Sequence, residues 1–303
     1  MIEFRPLEFA KKPQIDSILQ HCGERGCEFG FANMYLWGRQ RVAFLDGFIV
    51  FFCEYNRRTV YTYPVGQGDK RKVLQRIMDD AARRGISCSF TGLLREECGE
   101  LEQMFPGKFS IYCDRDNFDY VYRIEDLALL KGRKYQRRRN QVNRFMLEYP
   151  DAELLPLEDS LIPKVSKMVE AWYADKLRKD PTEDFHLEQR AIHKALHHWH
   201  ALGMEGLVLM CDGQVLAVTM GTFLSSAVFD VHFEKAREDV DGAYAFINRS
   251  FASYLHEKYP GLQYLNREDD MGIEGLRKAK TAYCPDHMLE KCWASLREDD
   301  NEN

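Results

Sequence analysis

Apolar positions along the chain switch between two periods, and the switches mark its elements. After Pro13, the residues Ile15, Ile18, Leu19 and Cys22 fall on one helical face that Gly23 ends. Arg41 to Leu45 and Phe48 to Tyr55 then read as strands flanking Asp46-Gly47, the dipeptide that best suits a tight hairpin, and Thr59 to Tyr63 follows after Asn56-Arg57-Arg58. The helical period returns through Val73, Leu74, Ile77, Met78 and Ala81, with Asp69 placed to cap the start and Gly85 to end it. Ile86 to Thr91 resumes as a strand. A short helix near Arg95 to Phe105 and strands over Phe109 to Cys113 and Phe118 to Ile124 complete the first half.

The second half repeats that order. Helices are expected from about Asp159 to Leu177 and from Leu187 to Leu202. The strands Gly206 to Cys211 and Val215 to Phe223 flank a second hairpin signal, Asp212-Gly213, and Ala227 to Glu234 makes the third strand. Ala245 to Lys258 is helical, Leu262 to Leu265 a strand and Ile273 to Ala282 a helix. Both halves therefore read helix, three antiparallel strands, helix, strand, helix. This predicts an α/β (α+β) duplication, each half a mixed, mostly antiparallel sheet flanked by helices. The length of 303 residues is about twice that of one ordinary domain and agrees with two cores. The joint falls near residue 130, giving domains over 1–130 and 131–303, the second opening with a basic helix.

An apolar content of 45% can fill two cores, and only the tail from Arg297 to Asn303 reads as frayed. The net charge of −6 argues against a chain that coats nucleic acid with its whole surface. No signal-peptide segment opens the chain, and no apolar run approaches the roughly 20 residues that span a bilayer, so a cytoplasmic protein without a transmembrane segment is expected. Nine scattered cysteines without a CxxC pair read as reduced thiols, with neither a disulfide framework nor a zinc site.

Against this acidic background, KGRKYQRRRNQVNR places Lys131, Arg133, Lys134, Arg137, Arg138, Arg139 and Arg144 together with no acid among them. Their repulsion asks for an anionic partner, such as tRNA, a nucleotide or a lipid headgroup, and the planar guanidinium suits phosphate. A solvated face of a helix that also packs through Tyr135, Val142, Phe145, Met146 and Tyr149 is the other reading. The second unusual stretch is YLNREDDMGIEGLRKAKTAYCP, where a strand runs into an acidic turn and a basic helix. Asn266, Glu268, Asp269 and Asp270 can hold an ammonium or take a proton from an amine, while Arg277, Lys278 and Lys280 can hold phosphate or an oxyanion. Capping of the following helix accounts for one of those acidic or amide groups but not for their concentration. His193 and His197 lie one turn apart, yet HExxH is absent and no metal site is expected. Val65-Gly66-Gln67-Gly68-Asp69 reads as a plain loop. GxSxG, Walker and dinucleotide-binding patterns do not occur.

FEKAREDVDGAYAFINRSFA and YLNREDDMGIEGLRKAKTAYCP, with the basic KYQRRRNQVNRF, resemble a bacterial family (DUF2156) related to the C-terminal domain of phosphatidylglycerol lysyltransferase. These motifs cover about the last 170 residues. The resemblance implies two tandem GNAT-like folds of the kind found in Fem-like aminoacyltransferases. It implies transfer of an aminoacyl group from aminoacyl-tRNA to an amine or hydroxyl on a small-molecule, peptide or lipid-headgroup acceptor, with no cofactor required. On that basis Asp269, Asp270 and Lys280 are the candidate catalytic residues. Asn266, Glu268, Arg277 and Glu234 would bind substrate, and Arg133, Lys134, Arg137, Arg138 and Arg139 the donor phosphates or tRNA. Acetyl-CoA is the other donor of such folds. Its pyrophosphate loop reads Arg or Gln, two residues, Gly, one residue, then Gly or Ala, whereas Asp239-Val-Asp-Gly242-Ala-Tyr244 is acidic and keeps one glycine, which disfavours it. The alternatives are an acetyl-CoA-dependent N-acetyltransferase and a catalytically silent binding or regulatory module.

Overall fold

Both hairpin dipeptides form the turns expected of them in the computed structural model, which describes residues 1–38, 40–55, 58–182 and 185–297. Asp46 and Gly47 have φ of 47° and 88°, and Asp212 and Gly213 have 48° and 72°. Two successive positive φ values twist the turn the way the flanking strands twist. The chain forms two compact units. The first comprises Met1–Asp119, Asp269–Glu274 and the described residues from Met288 on, and the second Tyr120–Glu268 and Gly275–His287.

The first unit begins with β1 (Arg5–Pro6), α1 (Lys12–Leu19) and α2 (Phe31–Trp37). The hairpin joins β2 (Arg41–Leu45) to β3 (Phe48–Tyr55), and β4 (Arg58–Thr62) and β5 (Val65–Gly66) follow. The turn expected over Asn56-Arg57-Arg58 falls largely outside the described residues. In α3 (Lys70–Arg84), the Asp69 carboxylate accepts from the Lys72 amide at 3.0 Å and Gly85 closes the helix at φ 67°, as the capping pattern requires. Then come β6 (Ser89–Leu94), α4 (Arg95–Met104) and β7 (Phe109–Cys113). A Cβ on Gly66 would stand 2.2 Å from the Gly47 carbonyl oxygen, so the glycine before α3 lets that loop lie against the hairpin turn.

The chain continues through β8 (Asp119–Arg123), α5 (Ile124–Leu129), α6 (Gln136–Glu148), β9 (Glu153–Pro156) and α7 (Ile162–Lys179). The helix expected over 187–202 is interrupted at His198, giving α8 (His186–His197) and α9 (Trp199–Leu202). β10 (Glu205–Cys211), β11 (Gln214–Phe223) and β12 (Val228–Ala236) make the meander. α10 (Ala243–Lys258), β13 (Tyr264–Asn266), α11 (Glu274–Thr281) and β14 (His287–Leu289) follow, and β15 (Lys291–Leu296) ends the described chain.

One sheet runs β1-β2-β3-β4-β6-β15-β7, with β5 against β3, and the other β14-β8-β13-β12-β11-β10-β9. Each includes a parallel neighbour pair joined by a crossover helix: β4 with β6 through α3, and β12 with β13 through α10. The repeated order read from the sequence is thus a repeated topology. The expected boundary at 130/131 is corrected. The units divide at Asp119/Tyr120, because Val121 to Arg123 pair with Asn266 to Tyr264, and β15 returns to the first sheet beside β6 and β7. Strand periodicity shows that a strand exists but not which neighbour it takes.

The reduced-thiol expectation is also corrected. Cys113 and Cys292 sit opposite one another on β7 and β15, with Cα atoms 4.2 Å apart, and are joined as a disulfide across 179 residues of sequence. Beside this bond, Lys291 is buried, its ammonium 2.7 Å from Asp119 Oδ1 and 3.0 Å from Glu28 Oε2. The Cys27 amide donates to the other Asp119 oxygen at 2.8 Å. Burial alone would lower the Lys291 ammonium, yet Asp119, with Cys27 and Glu28 behind it, holds it well above its ordinary value. Burial pushes the Glu28 carboxyl up. Among the described residues, no helix is long and apolar enough to cross a membrane. The tail expected to fray lies, beyond Arg297, outside them.

Candidate functional site

Met220 of β11 faces Phe233 of β12, and Thr222 faces Asp230. Two steps on β11 are matched by three on β12, a bulge that re-aims the side chains beyond it. Past the bulge, consecutive Glu234 and Lys235 leave the strand on opposite faces.

Glu234 is the centre of one group. Its Oε1 accepts from Arg267 Nη2 at 3.0 Å and its Oε2 from Asn248 Nδ2 of α10 at 3.1 Å. Each partner keeps a further buried polar atom, Arg267 Nη1 and Asn248 Oδ1, with no hydrogen bond among the described residues. An orphaned buried group costs about 1–3 kcal/mol, so these two, one donor and one acceptor on the two partners of one carboxylate, call for a water or ligand to complete them. Arg267 lies over the rings of Tyr283 at 5.1 Å and Tyr122 at 5.8 Å. Arg138 of α6 lies over Tyr283 at 4.2 Å, so the basic helix reaches this group. Burial works against the Arg267 cation, but Glu234 and the two tyrosines hold its pKa above the ordinary value. Burial, then Glu234, raises the Tyr283 hydroxyl.

Lys235 enters a different surrounding. Its ammonium donates to Glu188 Oε1 at 2.8 Å and lies 4.1 Å from the Trp172 ring centre and 5.3 Å from that of Tyr173. Tyr173 donates its hydroxyl to the second Glu188 oxygen at 2.7 Å. The Tyr244 hydroxyl is influenced by members of both groups. Desolvation pushes its hydroxyl up to about 12, Glu234 adds to the shift, and the Ala236 backbone and Trp172 indole oppose it.

Of the residues singled out by sequence, Glu234 stands at this centre. Asn266 is buried and its Oδ1 accepts the Glu268 amide at 2.7 Å, holding Glu268 at φ 57°. Lys280 donates to the Arg267 and Glu268 carbonyls at 2.5 and 3.2 Å, so its ammonium fixes the backbone that carries Arg267. Asp270 is fully buried in the first unit, accepting from Arg115 Nη1 at 2.9 Å and from the Gly272 amide at 3.0 Å. Asp269 is half-buried in the same unit, and Arg277 is half-buried on α11. These contacts tie Lys280 to the backbone at Arg267 and Glu268, and Asp270 to Arg115 and the Gly272 amide.

The basic run is partly neutralised from within. Lys134 pairs with Asp126 at 3.1 Å and Arg144 with Asp241. Arg139 donates to the Leu130 and Gly132 carbonyls, and Arg138 to Gln141. Arg133 and Arg137 remain exposed with no ion-pair partner among the described residues. The acids before α10, expected to repel phosphate, also have partners: Glu238 with Lys176 and Lys179, and Asp239 with Arg237. Among the described residues, the histidine that lies in a cluster able to hold a metal ion is not His193 or His197. It is His232, whose Nδ1 lies 3.1 Å from Glu268 Oε1 and 3.4 Å from Asp230 Oδ2, and whose Nε2 lies 2.9 Å from Thr222 Oγ1.

Sequence reasoning passed over Asn248, Arg267, Lys235 and Trp172. Arg267 sat inside the quoted acidic turn, between two residues that were chosen. Its available signal was a lone cation leaving a strand end among acids.

The family model for the C-terminal part of phosphatidylglycerol lysyltransferase matches residues 20–295. A conserved protein of unknown function from Bacteroides thetaiotaomicron is 37% identical over 98% of this chain and 100% of its own, with a TM-score of 0.93. L-PGS from Bacillus licheniformis shares the fold at TM-score 0.66 and 14% identity, over 98% of this chain and 94% of its own. A tandem GNAT protein from the clavulanic acid biosynthesis pathway does so at 0.51 and 10%, over 99% and 100%. No curated protein matches the chain by sequence.

Proposed function

The chain belongs to the phosphatidylglycerol lysyltransferase C-terminal family, and from that premise we propose that its second unit moves an aminoacyl group from aminoacyl-tRNA to an amine or hydroxyl acceptor. The carrying observation is the unmet donor and acceptor on Glu234's two partners, Arg267 Nη1 and Asn248 Oδ1. An aminoacyl ester offers the complement, a carbonyl oxygen beside an α-amine. Arg267 donates to the carbonyl oxygen as it becomes an oxyanion, Asn248 accepts from the amine, and Glu234 positions both. The acceptor's nitrogen or oxygen attacks the carbonyl carbon, the ester bond breaks, and the ribose hydroxyl leaves with the proton that the acceptor gives up. Arg138, stacked on Tyr283, and the exposed Arg133 and Arg137 supply charge for the donor's backbone. A Cβ at Gly242, where α10 begins, would stand 2.6 Å from the Gln141 carbonyl oxygen, so α6 packs onto the helix start that a coenzyme A pyrophosphate would use. That supports tRNA over acetyl-CoA.

Transfer of radiolabelled amino acid from bulk charged tRNA to candidate acceptors tests the reading. Glu234→Gln, which keeps the shape but frees the guanidinium, is expected to lower transfer by on the order of 100-fold or more with the fold retained. Undiminished turnover would remove Glu234 from the site. Arg137→Ala with Arg138→Ala is expected to weaken tRNA binding and flatten its salt dependence by about one contact per residue, at an unchanged melting temperature. Arg139→Ala should instead melt earlier, because Arg139 holds two backbone carbonyls.

A further inference from the structure

The acids around Glu234 already have internal cations. Glu234 holds Arg267, Glu188 holds Lys235, and Glu238 holds Lys176 and Lys179. What a lysyl side chain needs from a protein is an aromatic face and a carboxylate beyond it. Such a box exists here, walled by Trp172 and Tyr173 of α7 and closed by Glu188 of α8, but it is filled. Lys235 lies 4.1 Å from the Trp172 ring centre with its side chain 10% exposed, and Lys176 approaches the same indole at 5.1 Å. The Trp172 indole N–H is buried with no hydrogen-bond partner among the described residues. The box and the Glu234 group lie on opposite faces of β12 but share one edge of it, because β13 pairs with that strand only from Val228 to Asp230 and stops before Glu234 and Lys235. A third ammonium brought here would face two of its own kind, while Glu234, Glu188 and Glu238 are already paired, and an unpaired buried cation is strongly disfavoured.

Resting on the aminoacyl reading, we infer that the group this chain transfers carries an uncharged side chain, and that Lys235 is the specificity residue that occupies from inside the cation box a lysyl group would require. Asn248 Oδ1 remains for the α-amine, which every aminoacyl group has, so the discrimination acts on the side chain alone.

The test is calorimetric or NMR-detected binding of L-alaninamide and L-lysinamide to the full chain, with Lys235→Met and Glu188→Gln alongside. The intact protein is expected to bind alaninamide, with lysinamide weaker by on the order of 100-fold. Lys235→Met, which frees Glu188 and the Trp172 face, should strengthen lysinamide at least about tenfold and leave alaninamide within about threefold. Adding Glu188→Gln should erase that gain. Equal or tighter lysinamide binding by the intact protein would overturn the inference while leaving aminoacyl transfer standing. Binding of neither amide would overturn the aminoacyl reading and the inference with it. Discrimination that persists unchanged in a folded Lys235→Met would remove Lys235 from the role. The comparison on the intact protein requires no variant to fold.

Discussion

Arg267→Ala is expected to destabilise the chain by about 3–5 kcal/mol and to abolish transfer, because it leaves Glu234 buried without its cation. The pair is 3.0 Å long, and its side chains are only 13% and 9% exposed, so solvent screens it little. The same substitution strips the guanidinium from the faces of Tyr122 and Tyr283. Urea denaturation gives the size of the loss. Glu234→Gln combined with Arg267→Met removes both charges and keeps an acceptor for Asn248, so the double variant should be more stable than Arg267→Ala, with a coupling of roughly 1–3 kcal/mol. Transfer should be absent from both, since the oxyanion donor is gone. A loss below about 1 kcal/mol for Arg267→Ala would mean that the carboxylate is hydrated, and the case for two orphaned atoms awaiting a ligand would fail.

The second large effect is expected in the first unit. Lys291→Met leaves Asp119 and Glu28 without their ammonium and should cost about 3–5 kcal/mol at neutral pH. The sign of the pH dependence follows from the directions of the shifts. Lys291 has its folded value raised, so its contribution in the intact protein is complete below the unfolded value near 10.4 and is lost as pH rises through the folded one. Glu28 is an acid with its folded value also raised, mainly by burial, so its charge is a cost at neutral pH that protonation relieves. The deficit of Lys291→Met should therefore shrink as pH falls from 7 towards 5. A deficit that stays constant across that range would show that the carboxylates are not charged and buried together, and the bridging role of Lys291 would be lost.

Much of the local structure was legible because it is local. Asp46-Gly47 and Asp212-Gly213 turn with positive φ wherever they stand between strands, and Asp69 and Gly85 cap a helix from three or four residues away. The apolar stripes of α3, α7 and α10 announced helices, and the repeated order of elements announced the duplicated topology. The strand β15 was not anticipated. Six residues near the chain's end carry too little pattern to distinguish a strand from a loop, and its partners β6 and β7 lie far away in sequence. The same distance hid the Cys113–Cys292 pairing and the Lys291–Asp119 bond.

The site divides along the same line. The acidic strand end and the basic run stood out as unusual charge, and Arg138 does reach Tyr283 beside Arg267. Which of those charges faces a ligand and which braces the backbone was not readable. Lys280 and Asp270 look as reactive in sequence as Arg267, yet their polar atoms hold carbonyls, an amide and an arginine. The bulge in β12 determines which face Glu234 takes, and the register that creates it depends on a neighbouring strand.

The sequence alone determined most of the elements, their duplicated order and the family motifs, because turn chemistry, capping and apolar period act within a few residues. The tertiary structure alone decided the partners: where β15 inserts, which cation each buried carboxylate keeps, and which two polar atoms beside Glu234 are left unmet. Those pairings join residues tens to hundreds of positions apart, and burial, which turns a pairing from marginal into decisive, exists only once the sheets have formed.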